Sequence, residues 1–144
     1  MDKRKRNAAL FAAYCALMLW LLFGRAGYAE GIPYWEQVQA QLNLVPLRTL
    51  RLFADLLDSG IRSYIVMAVI NLGGNIIMFI PLGFLLPRVF PKLHTLIRVL
   101  LATALIIAAV EIIQLFTLVG SCDIDDLILN VLGSALGYLL HKRI

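Results

Sequence analysis

Long apolar runs separated by short charged clusters dominate the chain. Residues 8–23 carry no charge, and apolar character returns over 64–86, 96–118 and, more briefly, 127–140. A hydrocarbon layer about 30 Å thick takes roughly 20 helical residues to cross, so these runs predict four membrane-spanning helices. The fourth reaches span length only by running outward through Asp123–Asp126. The expected fold is all-α: a polytopic transmembrane bundle with spans at about 8–23, 64–86, 96–118 and 124–141. An outer loop covers about 24–63, and residues 1–144 form one membrane domain.

Within that loop, Pro33 is placed to start a short helix. Residues 47–59 show an apolar face of Leu50, Ala54 and Leu57, with Arg51 and Asp55 paired at i,i+4 on the polar side. This reads as an amphipathic helix lying in the interface, with Tyr34 and Trp35 at headgroup level.

Basic residues set the orientation. Lys3, Arg4, Lys5, Arg6, Arg88, Lys92, Arg98, Lys142 and Arg143 flank one side of the four spans; Arg25, Arg48, Arg51 and Arg62 lie on the other. The positive-inside rule then puts both termini and the 87–95 loop in the cytoplasm. Residues 2–6 ahead of the first apolar run, with Gly27-Tyr28-Ala29 behind it, also fit a signal peptide cleaved after Ala29. The length of the apolar core favours a retained span.

Composition narrows the class. The 144 residues are 61% hydrophobic and 15% charged, against about 25% charged in a soluble domain. A globule this small has too little interior to hide so much apolar surface from water. Disulfide scaffolds, disordered tails and nucleic-acid modules are excluded: the net charge of +4 lies in clusters between apolar runs, not along one solvated face. The lipid bilayer is the expected partner.

Polar groups inside spans are costly and usually face protein or water. Here they agree in depth. Glu111 and Gln114 share a face of the third span at i,i+3; Asn71 and Asn75 are i,i+4 in the second; Asp126 and Asn130 are i,i+4 in the fourth. Asp123 and Asp125 stand at its mouth. Antiparallel packing gathers these groups into the outer half of the bundle as a ligand-binding pocket. Ala104, Ala108, Gly133 and Gly137 seal it below, Gly73, Gly74 and Gly83 assist the second span, and Pro81 is expected to kink that span. Asn71 and Gln114 also suit plain interhelical hydrogen bonding, and the Asp cluster also suits a solvated helix entrance.

Several stretches resemble the VanZ-like family of bacterial membrane proteins: residues 43–47 (NLVPL), 75–83 (NIIMFIPLG), 111–114 (EIIQ) and 123–133 (DIDDLILNVLG), continuing to Gly137-Tyr138. Their order and spacing across about 43–138 carry the resemblance. Many relatives have a basic residue shortly before the Asp cluster, where this chain reads Val119-Gly120-Ser121-Cys122. The resemblance implies an accessory role in glycopeptide resistance, the founding member lowering susceptibility to the lipid-tailed antibiotic teicoplanin. The implied partner is a lipidated glycopeptide or a cell-wall precursor.

The remaining chemistry is sparse. Cys15 and Cys122 lie at different depths. His94 and His141 fall on the cytoplasmic side, so Cys122 lacks a base and the outer pocket lacks the usual zinc ligands. Carboxylates suit Mg²⁺ or Ca²⁺, but no recognised loop spacing is present, so no metal is expected. The absence of a P-loop, a dinucleotide fingerprint or a nucleophile elbow leaves no cofactor to expect. Two function classes stand: a non-enzymatic protein whose outward pocket binds or excludes an amphiphile, and an intramembrane enzyme on a lipid-linked envelope substrate with Glu111 and Asp126 as acid and base. An oligomeric channel is disfavoured, because a bundle sealed in its lower half leaves no continuous pore.

Overall fold

The computed structural model describes residues 2–24, 27 and 29–143. Six α-helices account for most of it: α1 (Lys3–Phe23), α2 (Tyr34–Ala40), α3 (Arg48–Asp58), α4 (Arg62–Val89), α5 (Leu96–Thr117) and α6 (Ile124–Arg143). Arg25, Ala26 and Tyr28 lie outside the described residues, and the signal-peptide reading falls there. The long helices match the expected runs, α1, α4 and α6 with extended ends and α5 stopping one residue short. α1 starts at Lys3, where the Asp2 side chain accepts the Arg4 N–H, and α4 runs unbroken through Pro81 and Pro87.

α1, α4 and α5 are long and apolar enough to cross a membrane. α6 has 20 residues, but Asp125 and Asp126 in its first turn and Lys142 and Arg143 in its last make it less apolar. The exterior is oily: Leu105, on α5, is 73% exposed, while Thr103 on the same helix and Ser134 on α6 are fully buried and share a 2.7 Å hydrogen bond. A water-soluble helix has the opposite arrangement, so this surface is suited to lipid.

α4 is the centre of the bundle. Its broadest interface is with α6, and α1 packs chiefly on α4. Glycine sets how closely α4 and α6 approach. A Cβ on Gly83 would lie 1.8 Å from the Ser134 carbonyl oxygen; on Gly133 or Gly137 it would lie 2.1 or 2.0 Å from those of Ile76 and Ile80. The expected role of Gly133 and Gly137 is therefore seen directly. Gly73 and Gly74 correct the sequence reading: a side chain at either position would meet nothing within 4 Å. Phe79, Leu82, Leu86, Val99, Ile107 and Tyr138 form the main core.

One end of the bundle is basic. Arg88 donates to His141 Nδ1 at 3.1 Å and lies 3.6 Å over the Phe84 ring, while the Tyr138 hydroxyl donates to the His94 carbonyl at 2.9 Å. The other end carries the loop helices. Tyr34 fixes α2 there, its hydroxyl donating to the Phe116 carbonyl at 2.7 Å with Trp35 stacked edge-on to the Phe116 ring.

Candidate functional site

At the loop end, residues 42–43 (β1) and 122–123 (β2) form a two-residue parallel ladder pairing Leu42 with Cys122 and Asn43 with Asp123. Two carboxylates lock it. Asp125, fully buried, accepts backbone N–H groups from Leu47 (2.6 Å), Thr49 (2.8 Å) and Leu50 (3.1 Å). These are orphan donors at the start of α3, so Asp125 caps that helix from a distant part of the chain. Asp123 accepts from Asn43 Nδ2 (3.1 Å), the Thr49 hydroxyl (2.5 Å) and the Asp125 N–H (2.8 Å). Its own N–H donates to Glu111 at 3.2 Å.

Beside this lock, the ends of α1, α5 and α6 and the middle of α4 enclose a half-open cavity of about 280 Å³. Its polar lining is Asn75, Glu111, Gln114, Ser121, Asp126 and Asn130. Five of the seven expected site residues therefore share one cavity. Asp123 and Asp125 do not line it; their oxygens are committed to α3 and β1, which the sequence could not reveal because the partners lie more than 70 residues away. Asn71 also departs from expectation: it is exposed and donates to Met67 of its own helix at 2.8 Å.

The cavity has an unequal supply of donors and acceptors. Asn75 Nδ2 donates to Asp126 at 2.6 Å, and Gln114 Nε2 to the Leu22 carbonyl of α1 at 2.8 Å. A carboxylate only accepts, so the Asn75 nitrogen must face Asp126. Asn130, 4% exposed, leaves its Oδ1 with no partner.

An apolar groove of about 200 Å³ adjoins this cavity. It runs between α1 and α5, floored by α4, and is walled by Tyr14, Met18 and Ile106 among others. Leu22 and Phe79 belong to both spaces.

The VanZ/LLP1 family pattern matches residues 11–144. The chain belongs to this family. Protein VanZ of Enterococcus faecium is 29% identical to it over 135 residues, covering 94% of this chain and 73% of that protein. No solved structure matches. In this VanZ/LLP1 chain the separated stretches noted in the sequence prove to be contact partners: 43–47 meets 123–125 through the ladder and the Asp125 cap, and 75–83 meets 133–137 through the glycine contacts.

Residues that the sequence did not single out also matter to this VanZ/LLP1 site. Thr49 ties both carboxylates to α3, and Thr103–Ser134 joins α5 to α6 below the cavity. The small residue Ser134 beside Gly133 was the available signal. Cys122 is half-buried at the ladder; burial, Glu111 and Asp123 all push its thiol pKa up, which disfavours the nucleophilic thiolate. Both histidines lie at the opposite, basic end. Among the described residues no cluster of three or more His, Cys, Asp or Glu side chains is arranged to hold a metal ion.

Proposed function

We propose that the chain is a multi-pass protein of the bacterial cytoplasmic membrane that lowers susceptibility to lipid-tailed glycopeptides such as teicoplanin. In this reading residues 1–144 are one membrane domain, α6 is the fourth span and both termini are cytoplasmic. The basic end of α4 and α6 supports that orientation. The Tyr14 hydroxyl, bonded to the Met78 carbonyl at 3.0 Å, supports retention of the first span.

The observation that carries the functional reading is the junction of polar cavity and apolar groove at Leu22 and Phe79. An amphiphile places its head among Asn75, Glu111, Gln114, Asp126 and Asn130 and its tail between α1 and α5. Asp123 and Asp125 serve this site by holding the loop over it. The relative named Protein VanZ makes a glycopeptide with a lipid tail the first ligand to test, and a lipid-linked cell-wall precursor the second.

The test is antibiotic susceptibility of a sensitive Gram-positive host expressing the chain, comparing teicoplanin with vancomycin. Wild type is expected to protect against teicoplanin and little against vancomycin. The double variant Glu111→Gln/Asp126→Asn, at matched membrane levels, is expected to lose that protection. Equal protection against both drugs, or none, overturns the reading. An enzymatic role, with the two carboxylates as acid and base, would instead be marked by a changed lipid-linked envelope species in wild type alone.

A further inference from the structure

We infer that the occupant of the cavity is cationic: an alkylammonium head held between Glu111 and Asp126, with its chain in the α1–α5 groove. This rests on the amphiphile reading above and names the chemistry of the head. Three observations carry it. First, two carboxylates from different helices face one space, and among the described residues no Lys, Arg or His lines it. Second, two of the lining amides already donate within the protein, Asn75 Nδ2 to Asp126 and Gln114 Nε2 to the Leu22 carbonyl.

Third, a spare acceptor remains. Asn130 Oδ1 is buried and unpartnered on a side chain 4% exposed. Leaving a buried polar atom unpaired is costly, so an occupant that draws this side chain to one of its own donors is favoured. A head that only accepts, such as sulfate, meets two carboxylates. A neutral head bearing hydroxyls satisfies the acceptors but leaves the charge unbalanced. An ammonium group does both: it offers up to three N–H donors and brings positive charge into a site of low dielectric, where charge-assisted hydrogen bonds are roughly twice as strong as neutral ones.

The groove fixes the rest of the molecule. Because Leu22 and Phe79 line both spaces, the chain of such a head is placed past these two side chains, along Met18 and Tyr14.

The experiment uses the full chain in nanodiscs and three probes of equal tail length below their micellar concentrations: octylammonium, octyl glucoside and octyl sulfate. Binding is read as stabilisation against heat, corrected with empty nanodiscs and an unrelated membrane protein. Octylammonium is expected to bind about ten-fold tighter than octyl glucoside, with octyl sulfate weakest. In Glu111→Gln/Asp126→Asn the ammonium preference should fall to within about two-fold. Should that double variant fail to fold, Asp126→Asn alone and the conservative Asp126→Glu are compared; Asp126→Glu should keep the preference and Asp126→Asn should weaken it. If octyl glucoside equals or exceeds octylammonium, the cation proposal falls while amphiphile binding stands. If no probe binds above the controls, both fall.

Discussion

Asp125 and Thr49 are 76 residues apart in sequence and joined by a 2.8 Å hydrogen bond from the Thr49 N–H to the Asp125 carboxylate. With the Leu47 and Leu50 N–H groups, one buried carboxylate serves three donors at the start of α3. Leu47 takes a left-handed conformation there (φ 65°), unusual for a side chain of its size, and its bond to Asp125 holds it. Asp125→Asn replaces one acceptor oxygen with an NH₂ group that faces backbone N–H donors. The cost expected is about 3 kcal/mol. Thermal unfolding in detergent should show a clear drop for Asp125→Asn, and an unchanged midpoint would mean that the cap does not hold the loop.

Glycine positions in the bundle separate into two kinds. Gly137→Ala puts a methyl group 2.0 Å from the Ile80 carbonyl oxygen. Neither backbone can give way without parting α4 from α6, so a loss of about 1–3 kcal/mol is expected. Gly73→Ala meets open space and should be neutral or stabilising by up to about 1 kcal/mol, since alanine favours the helix. Equal destabilisation by both substitutions, measured as heat-induced loss of the monodisperse peak, would contradict the close approach at Gly137.

What the sequence made legible follows from the range of the forces involved. The long helices could be read because apolar runs respond to a local rule, the thickness of the hydrocarbon layer. The shared cavity of Asn75, Glu111, Gln114, Asp126 and Asn130 followed from the depth of each polar residue along its helix. The roles of Asp123 and Asp125 could not be read that way. An acidic pair at a helix start looks the same whether it faces a ligand or caps another helix, and only the fold brings Leu47–Leu50 within reach. Gly73 and Gly74 misled for a related reason: a glycine shows that close approach is permitted, not that a neighbour arrives.

Thr103 and Ser134 give a direct measure of polar pairing inside the bundle. Both are fully buried and 2.7 Å apart. Thr103→Val and Ser134→Ala each strand one hydroxyl, at about 1 kcal/mol apiece. The double variant strands neither, so its cost should be less than the sum of the two, with a coupling of about 0.6 kcal/mol as found on average between membrane helices. Strict additivity in a thermal double-mutant cycle would show that the two hydroxyls do not depend on each other.

Cys122 reports the electrostatics of the loop end without disturbing the cavity. Burial raises its thiol pKa above the ordinary value, and the charges of Glu111 and Asp123 raise it further. The reactive species is the thiolate, so a raised pKa moves the alkylation profile toward higher pH. In a Cys15→Ala background, iodoacetamide should modify Cys122 more slowly than a free cysteine at pH 7.5, with the rate still climbing where the free thiol has levelled off. Replacing Glu111 with glutamine removes a like charge, lowers the thiol pKa and should speed modification at fixed pH. The gain should be partial, because burial is the larger cause and remains. Mass spectrometry of timed samples gives both rates. A Cys122 that reacts as fast as free cysteine would show that its thiol pKa is not raised, and a Glu111→Gln variant that reacts no faster than its parent would show that Glu111 carries no charge felt at the ladder.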